Sequence, residues 1–125
     1  MSKITVIKGD DRTLGLIVYT DSTLANRFSL ADCDLWFTVK NKASDSDADA
    51  VIQKTSAASD EINVTDAAQG EAEIYLLPED TESLPAVVAR LFFDVQVKGS
   101  DGKIKTVSKG SFVVEPDVTL DTALA

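Results

Sequence analysis

The side chains able to do acid–base, nucleophilic or metal chemistry are thinly represented in this sequence. It contains no histidine, which removes imidazole-based triads and the usual zinc ligands. Cys33 is the only cysteine, so neither an internal disulfide nor a thiolate cluster can form within the chain. It is expected to be a small, buried and inert core residue at the start of a strand. Acidic side chains are plentiful, at 21, and a pair of carboxylates is the machinery of glycoside hydrolysis. Nearly all of them, however, fall on turns or on the polar faces of strands, where solvated surface roles are expected. Asp94 is the exception, placed mid-strand beside Phe92 and Gln96. A cross-strand lysine is its expected partner.

Two short patterns touch on binding. Asp45-Ser46-Asp47-Ala48-Asp49 has the alternating carboxylates of a calcium loop, since hard cations favour clustered oxygen ligands. The sixth position is Ala50 instead of glycine, and the twelfth is Ser56 in place of a bidentate glutamate. A solvated hairpin tip is therefore expected, with no metal. Asn63-Val64-Thr65 fits the glycosylation sequon but lies inside a predicted strand. No phosphate-cradling glycine run is present, and no cofactor is expected.

Charge limits the partners further. The net charge is −9, with a pI near 4.3, whereas affinity for phosphate backbones comes from lysine and arginine. Nucleic acid is not an expected partner. Nor is a membrane, because the apolar runs are far shorter than the ~20 residues of a spanning helix. The first residues, Met1 to Val6, read as a strand without a signal-peptide pattern, so a cytosolic origin is expected.

The elements that must position these groups are strands. Leu35, Phe37 and Val39 alternate with Trp36, Thr38 and Lys40, the period of a strand with one buried face. Ala89, Leu91, Phe93, Val95 and Val97 alternate in the same way with Arg90, Phe92, Asp94, Gln96 and Lys98, predicting the longest and most central strand. Similar patterns run through Ile4–Val6, Leu14–Val18, Val51–Thr55, Ile62–Val64, Ala72–Leu76, Ile104–Thr106 and Phe112–Val114. Gly99-Ser100-Asp101-Gly102 carries an Asp-Gly hairpin signal. Gly110 is expected to mark a bulge or bend that changes the facing of the last strand and divides it between two sheets. The stretch from Pro78 to Pro85 starts and stops like a single helical turn.

These signals predict an all-β, antiparallel, immunoglobulin-like β-sandwich with one short helical turn. One domain is expected over residues 1–116, followed by a tail over 117–125 that docks on a neighbour or hangs free. Trp36, Tyr19, Tyr75 and Phe92 are predicted on faces away from the core, as interface anchors or as residues packed under the corner helix or the tail. From Ala43 to Ala89 the only base is Lys54, whereas Lys98, Lys103, Lys105 and Lys109 cluster around the last hairpin. An acidic and a basic edge could thus meet between copies; equally, the lysines, Lys103 and Lys105 among them, could protect a bare strand edge.

Three stretches carry a resemblance to a known family: Asp34-Leu35-Trp36-Phe37-Thr38-Val39-Lys40-Asn41, Val51-Ile52-Gln53-Lys54-Thr55, and Phe93 to Lys98 through Asp101-Gly102-Lys103 to Lys109-Gly110-Ser111-Phe112-Val113-Val114. With the closing Glu115-Pro116-Asp117-Val118-Thr119, the chain resembles the N-terminal domain family of bacteriophage baseplate upper proteins and related small phage tail modules. The run Ser29-Leu30-Ala31-Asp32-Cys33 departs from that family's usual turn before the aromatic strand. The resemblance implies a β-sandwich virion part, often oligomeric, assembled in the host cytoplasm. Its partners would be other virion proteins and copies of itself. The expectation is thus a non-enzymatic structural component of the tail, baseplate or head surface, acting through protein–protein docking. The alternative is a carbohydrate- or host-receptor-binding module using the same exposed aromatics.

The Asp45–Asp49 pattern generates a direct test. Millimolar calcium is expected to leave the thermal unfolding midpoint unchanged. A calcium-dependent rise that Asp47→Ala removes would contradict this reading.

Overall fold

The structure is a computed structural model that describes residues 2–20, 23–42, 44–82, 84 and 88–116. The proposed tail over 117–125 lies outside the described residues, as does Pro85. Eight strands are described: β1 Ser2–Ile7, β2 Arg12–Ile17, β3 Asp34–Lys40, β4 Ile52–Thr55, β5 Ile62–Asp66, β6 Glu71–Leu76, β7 Ala89–Lys98 and β8 Ile104–Glu115. A short helix, α1 Pro78–Glu82, supplies the expected corner, and a 3-10 turn occupies Asp47–Asp49. No helix among the described residues is long and apolar enough to cross a membrane.

The strands form a five-stranded sheet in the order β1-β8-β7-β3-β4 and a three-stranded sheet in the order β2-β6-β5. Alternation decides what each sheet buries. From the large sheet come Val6, Leu35, Phe37, Val39, Ile52, Leu91, Phe93, Val95, Val97, Phe112 and Val114; from the small one come Ile62, Ala72, Ile74 and Leu76. They form one apolar cluster, which makes the fold an all-β sandwich. At its centre the Phe37 ring lies 5.9 Å from that of Phe93 and 6.0 Å from that of Phe112, both tilted, as aromatic pairs prefer. Each of these buried rings contributes about 2–3 kcal/mol of transfer free energy.

Four expectations need correction. The sandwich is not wholly antiparallel, because β1 pairs parallel with β8. β7 is central, but β8 is longer, with 12 residues against 10. The last strand does change its facing, at Val107 and not at Gly110. Val95 faces Ser108 while Gln96 faces Thr106, so Val107 is the extra residue of the bulge, and β8 stays within one sheet. Gly110 instead sits in register between Phe93 and Ser2. Finally, Cys33 is only half-buried. It closes a turn ahead of β3, its N–H donating to the Leu30 carbonyl at 3.1 Å, so it is never part of the strand's inward row.

The connections between sheets are tied by polar contacts. Gly70 has φ +66°, and a Cβ there would lie 2.5 Å from the Phe28 carbonyl oxygen and 2.7 Å from that of Val18. Only glycine lets the β5–β6 turn approach that closely. The helix α1 is held at two points. Thr81 Oγ1 accepts the Gly9 N–H at 2.8 Å, and Asp80 accepts from Lys54 Nζ at 2.8 Å. Lys54 points inward from β4 and is only 7% exposed. Asp80 also accepts the Leu77 N–H at 2.8 Å.

A buried ammonium without its counter-charge is expensive, whereas a carboxylate at the boundary can rehydrate. Asp80→Ala is therefore expected to cost about 3 kcal/mol, and Lys54→Met only about 1 kcal/mol, measured by urea unfolding. The reverse order would contradict this account of the pair.

Candidate binding face

The outward residues of β3, β4, β7 and β8 are brought together on the solvent side of the large sheet, where they line an open cleft of about 630 Å³. Cross-strand register arranges them in rows. At the hairpin end Ile104 lies opposite Lys98. Next come Trp36 and Gln96, then Thr38 with Asp94, Gln53 and Lys109, and then Phe92 opposite Lys40. Trp36 and Phe92 are thus four residues apart along the sheet, about 13–14 Å at the rise of an antiparallel strand. The polar row lies between them.

Within that row the side chains are already ordered. Gln96 Nε2 donates to Asp94 Oδ2 at 3.2 Å, and Gln53 Nε2 donates to Thr38 Oγ1 at 3.4 Å. Lys109 stands directly across from Asp94, the type of neighbour expected from sequence, but the close contact that Asp94 makes is with Gln96. Lys40 closes the far end. Its Nζ lies 2.8 Å from Asp47 Oδ1 and donates to the Asp45 carbonyl at 2.8 Å. The three aspartates of the calcium-like run go separate ways. Asp47 pairs with Lys40, Asp45 Oδ2 accepts the Lys42 N–H, and Asp49 Oδ2 accepts from the Ser46 hydroxyl.

The candidate anchors therefore divide. Trp36 and Phe92 share the cleft. Of the four aromatics predicted to be exposed, only Phe92 is, at 50%; Trp36, Tyr19 and Tyr75 are half-buried. Tyr75 lies on the small sheet, its hydroxyl 3.4 Å from Glu73 Oε1. Tyr19, Lys103 and Lys105 belong to the hairpin end. There Tyr19 bridges to Arg27, whose guanidinium sits 5.4 Å from the centre of the Tyr19 ring. Lys105 Nζ donates to the Thr20 carbonyl at 3.0 Å and lies 5.4 Å from the centre of the Phe28 ring. The Asp-Gly turn beneath Lys103 forms as expected, with the Gly99 N–H donating to the Lys103 carbonyl at 2.9 Å and Gly102 at φ +82°.

Sequence reasoning missed Arg27, Gln53, Thr38 and Ile104 as members of these surfaces. Alternation placed Thr38 on an outer face but gave Gln53 no face and counted Ile104 among the apolar positions of the last strand; only the pairing of β3, β4, β7 and β8 joins the three. No family model matches the chain, and a search of curated proteins finds no match.

Beside the hairpin end, the Cys33 thiol is pushed above the usual thiol range, first by burial and then by the negative charges of Asp32, Asp34 and Asp101. Its thiolate fraction at neutral pH is correspondingly low. Iodoacetamide is expected to alkylate the native protein at pH 8 more slowly than the urea-unfolded chain, with Asp34→Asn narrowing the gap. Equal rates in the two states would contradict this.

Proposed function

We propose that this protein is a non-enzymatic structural component of a phage virion, in the tail, the baseplate or the head surface, that works by docking on other virion proteins and on copies of itself. The family resemblance supports this reading, and one structural observation carries it. At the hairpin end the Arg27 guanidinium is fixed over the Tyr19 ring, and Lys105, two residues from Lys103, is tied to the next residues of the same two segments, the Thr20 carbonyl and the Phe28 ring. Arg27 Nη1 is held further by the Gln69 carbonyl at 2.9 Å and by Glu71 Oε2 at 3.4 Å. Tyrosine and arginine are enriched among residues that dominate interfaces. Groups ordered before binding lose little conformational entropy when a partner arrives.

The charge pattern is consistent with contacts between unlike faces. Asp66, Glu71 and Glu73 line the small sheet, while Lys98, Lys103, Lys105 and Lys109 surround the last hairpin. The lysines also have a protective role. β1 covers β8 only from Gly110 to Glu115, so among the described residues the edge of 104–109 has no strand on that side. Lysines are a common device for keeping such an edge from pairing indiscriminately.

The test is incorporation. The protein is expected to copurify with phage particles in several copies. Lys103→Glu combined with Lys105→Glu should reduce that copy number while leaving the melting temperature nearly unchanged. A lost anchor would weaken the contact by about 1–4 kcal/mol, a rim charge by less. Absence from purified virions, or normal incorporation of the double variant, would overturn the docking assignment.

A further inference from the structure

We propose that the cleft on the large sheet is a binding site for a neutral oligosaccharide, with Trp36 and Phe92 as stacking platforms and Asp94, Gln96 and Gln53 as the hydroxyl-reading groups. The docking assignment rests on Tyr19, Arg27, Lys103 and Lys105, none of which lines this cleft; only Lys98 and Lys109 belong both to its lining and to the basic hairpin.

The lining identifies the ligand class. A pyranose ring has an apolar C–H face and a rim of hydroxyls, so it is matched by an aromatic face beside planar carboxylate and amide groups. The cleft presents that combination twice over, with aromatic, polar and aromatic rows in succession. The span of about 13–14 Å between the two aromatic rows suits a chain of sugar units better than a single ring. The volume of about 630 Å³ falls inside the range of about 300–1,000 Å³ found for small-ligand sites.

The alternatives fit less well. A peptide cannot add to this face as a strand, since β7 is already paired on both sides, with β3 and β8. An apolar surface laid over the floor would bury Asp94, Gln96 and Gln53 without enough partners. Hydroxyls both donate and accept, and so can complete the Asp94–Gln96 and Gln53–Thr38 pairs already in place. A polyanionic sugar would meet Asp94 at the centre of the cleft, in a protein whose net charge is −9. Of the three lysines that line the cleft, Lys40 is paired with Asp47, Lys109 stands across from Asp94, and Lys98 at the hairpin end stands across from Asp34.

The chain has one tryptophan, Trp36, so fluorescence excited selectively at tryptophan, beyond the absorption of Tyr19 and Tyr75, reports on this cleft. The unmodified protein should be titrated with cellotriose, maltotriose and triacetylchitotriose, and screened on an array of bacterial surface polysaccharides. At least one neutral sugar is expected to shift or enhance Trp36 emission saturably. Phe92→Ala and Asp94→Asn should each weaken that binding about tenfold or more, and Lys103→Glu should leave it unchanged. Phe92 is half exposed and Asp94 lies outside the core, so both variants should melt near the parent temperature. No saturable response to any neutral sugar would overturn the proposal. So would binding indifferent to Asp94→Asn, or binding confined to polyanionic sugars and lost in Lys98→Ala or Lys109→Ala. Virion incorporation of the same variants reads the docking assignment independently. Loss of sugar binding with normal incorporation separates the two surfaces, and failure of one leaves the other standing.

Discussion

Lys54 points into the sandwich, and the arrangement of the large sheet's edge depends on it. Strand β4 has only four residues, too few for apolar burial alone to set its register firmly. Ile52 faces the core and Gln53 faces solvent; a slip by one residue would exchange them. The ion pair between Lys54 and Asp80 holds the parity because it has a partner on only one side of the sheet. The same contact ties β4 to α1, the corner through which the chain leaves the small sheet for the large one. A buried ion pair of this kind contributes less to net stability than its Coulomb attraction suggests, since two charges must be desolvated. Its effect here is on which face each residue takes. With Lys54 inward, Gln53 is delivered to the cleft.

β7 shows how one strand can serve two purposes. Its odd-numbered residues from Leu91 to Val97 are buried, and Phe93 packs against Phe37 at the centre of the core. Its even-numbered residues, Phe92 to Lys98, form the floor of the cleft. Rigidity on one face is therefore transmitted to the other, because the same backbone is paired along both edges and cannot shift without disturbing the aromatic cluster. The side chains of Asp94 and Gln96 are thus placed on a surface that moves little. A preorganised surface of this type needs less ordering on binding than a loop would.

The hairpin end is built differently. It depends on segments converging from distant parts of the chain: residues 18–20, residues 26–30, the β5–β6 turn and the start of β8. Backbone hydrogen bonds from Val18 to Gly70, from Phe28 to Val18 and from Leu30 to Ala67 hold these segments together at 2.8–2.9 Å. Gly70 is the residue that allows the approach, since any side chain would meet two carbonyl oxygens. Arg27 and Tyr19 take their positions from this lacing.

Much of the architecture is determined by the sequence alone, because a strand's facing is a local period of two and needs no knowledge of its neighbours. The alternation in β3, β6 and β7, the Asp-Gly hairpin and the proline-led helical turn are all of this kind. The lack of histidine and the solitary cysteine are equally visible without a structure. Tertiary structure decided whatever depends on a pairing between distant segments. The parallel partnership of β1 with β8 has no local signal, and neither does the bulge at Val107, which exists only relative to the register of β7. In the sequence Lys54 is only the single base of an acidic stretch, and its buried pairing appears when Asp80 is brought to it from 26 positions away. Cys33 looks like the first member of an inward row, but the turn at Leu30–Cys33 holds it half outside. The cleft is the clearest case. Trp36, Gln53, Phe92 and Asp94 come from three strands, and only cross-strand register aligns them into rows, because periodicity assigns a residue to a face but not to a neighbour.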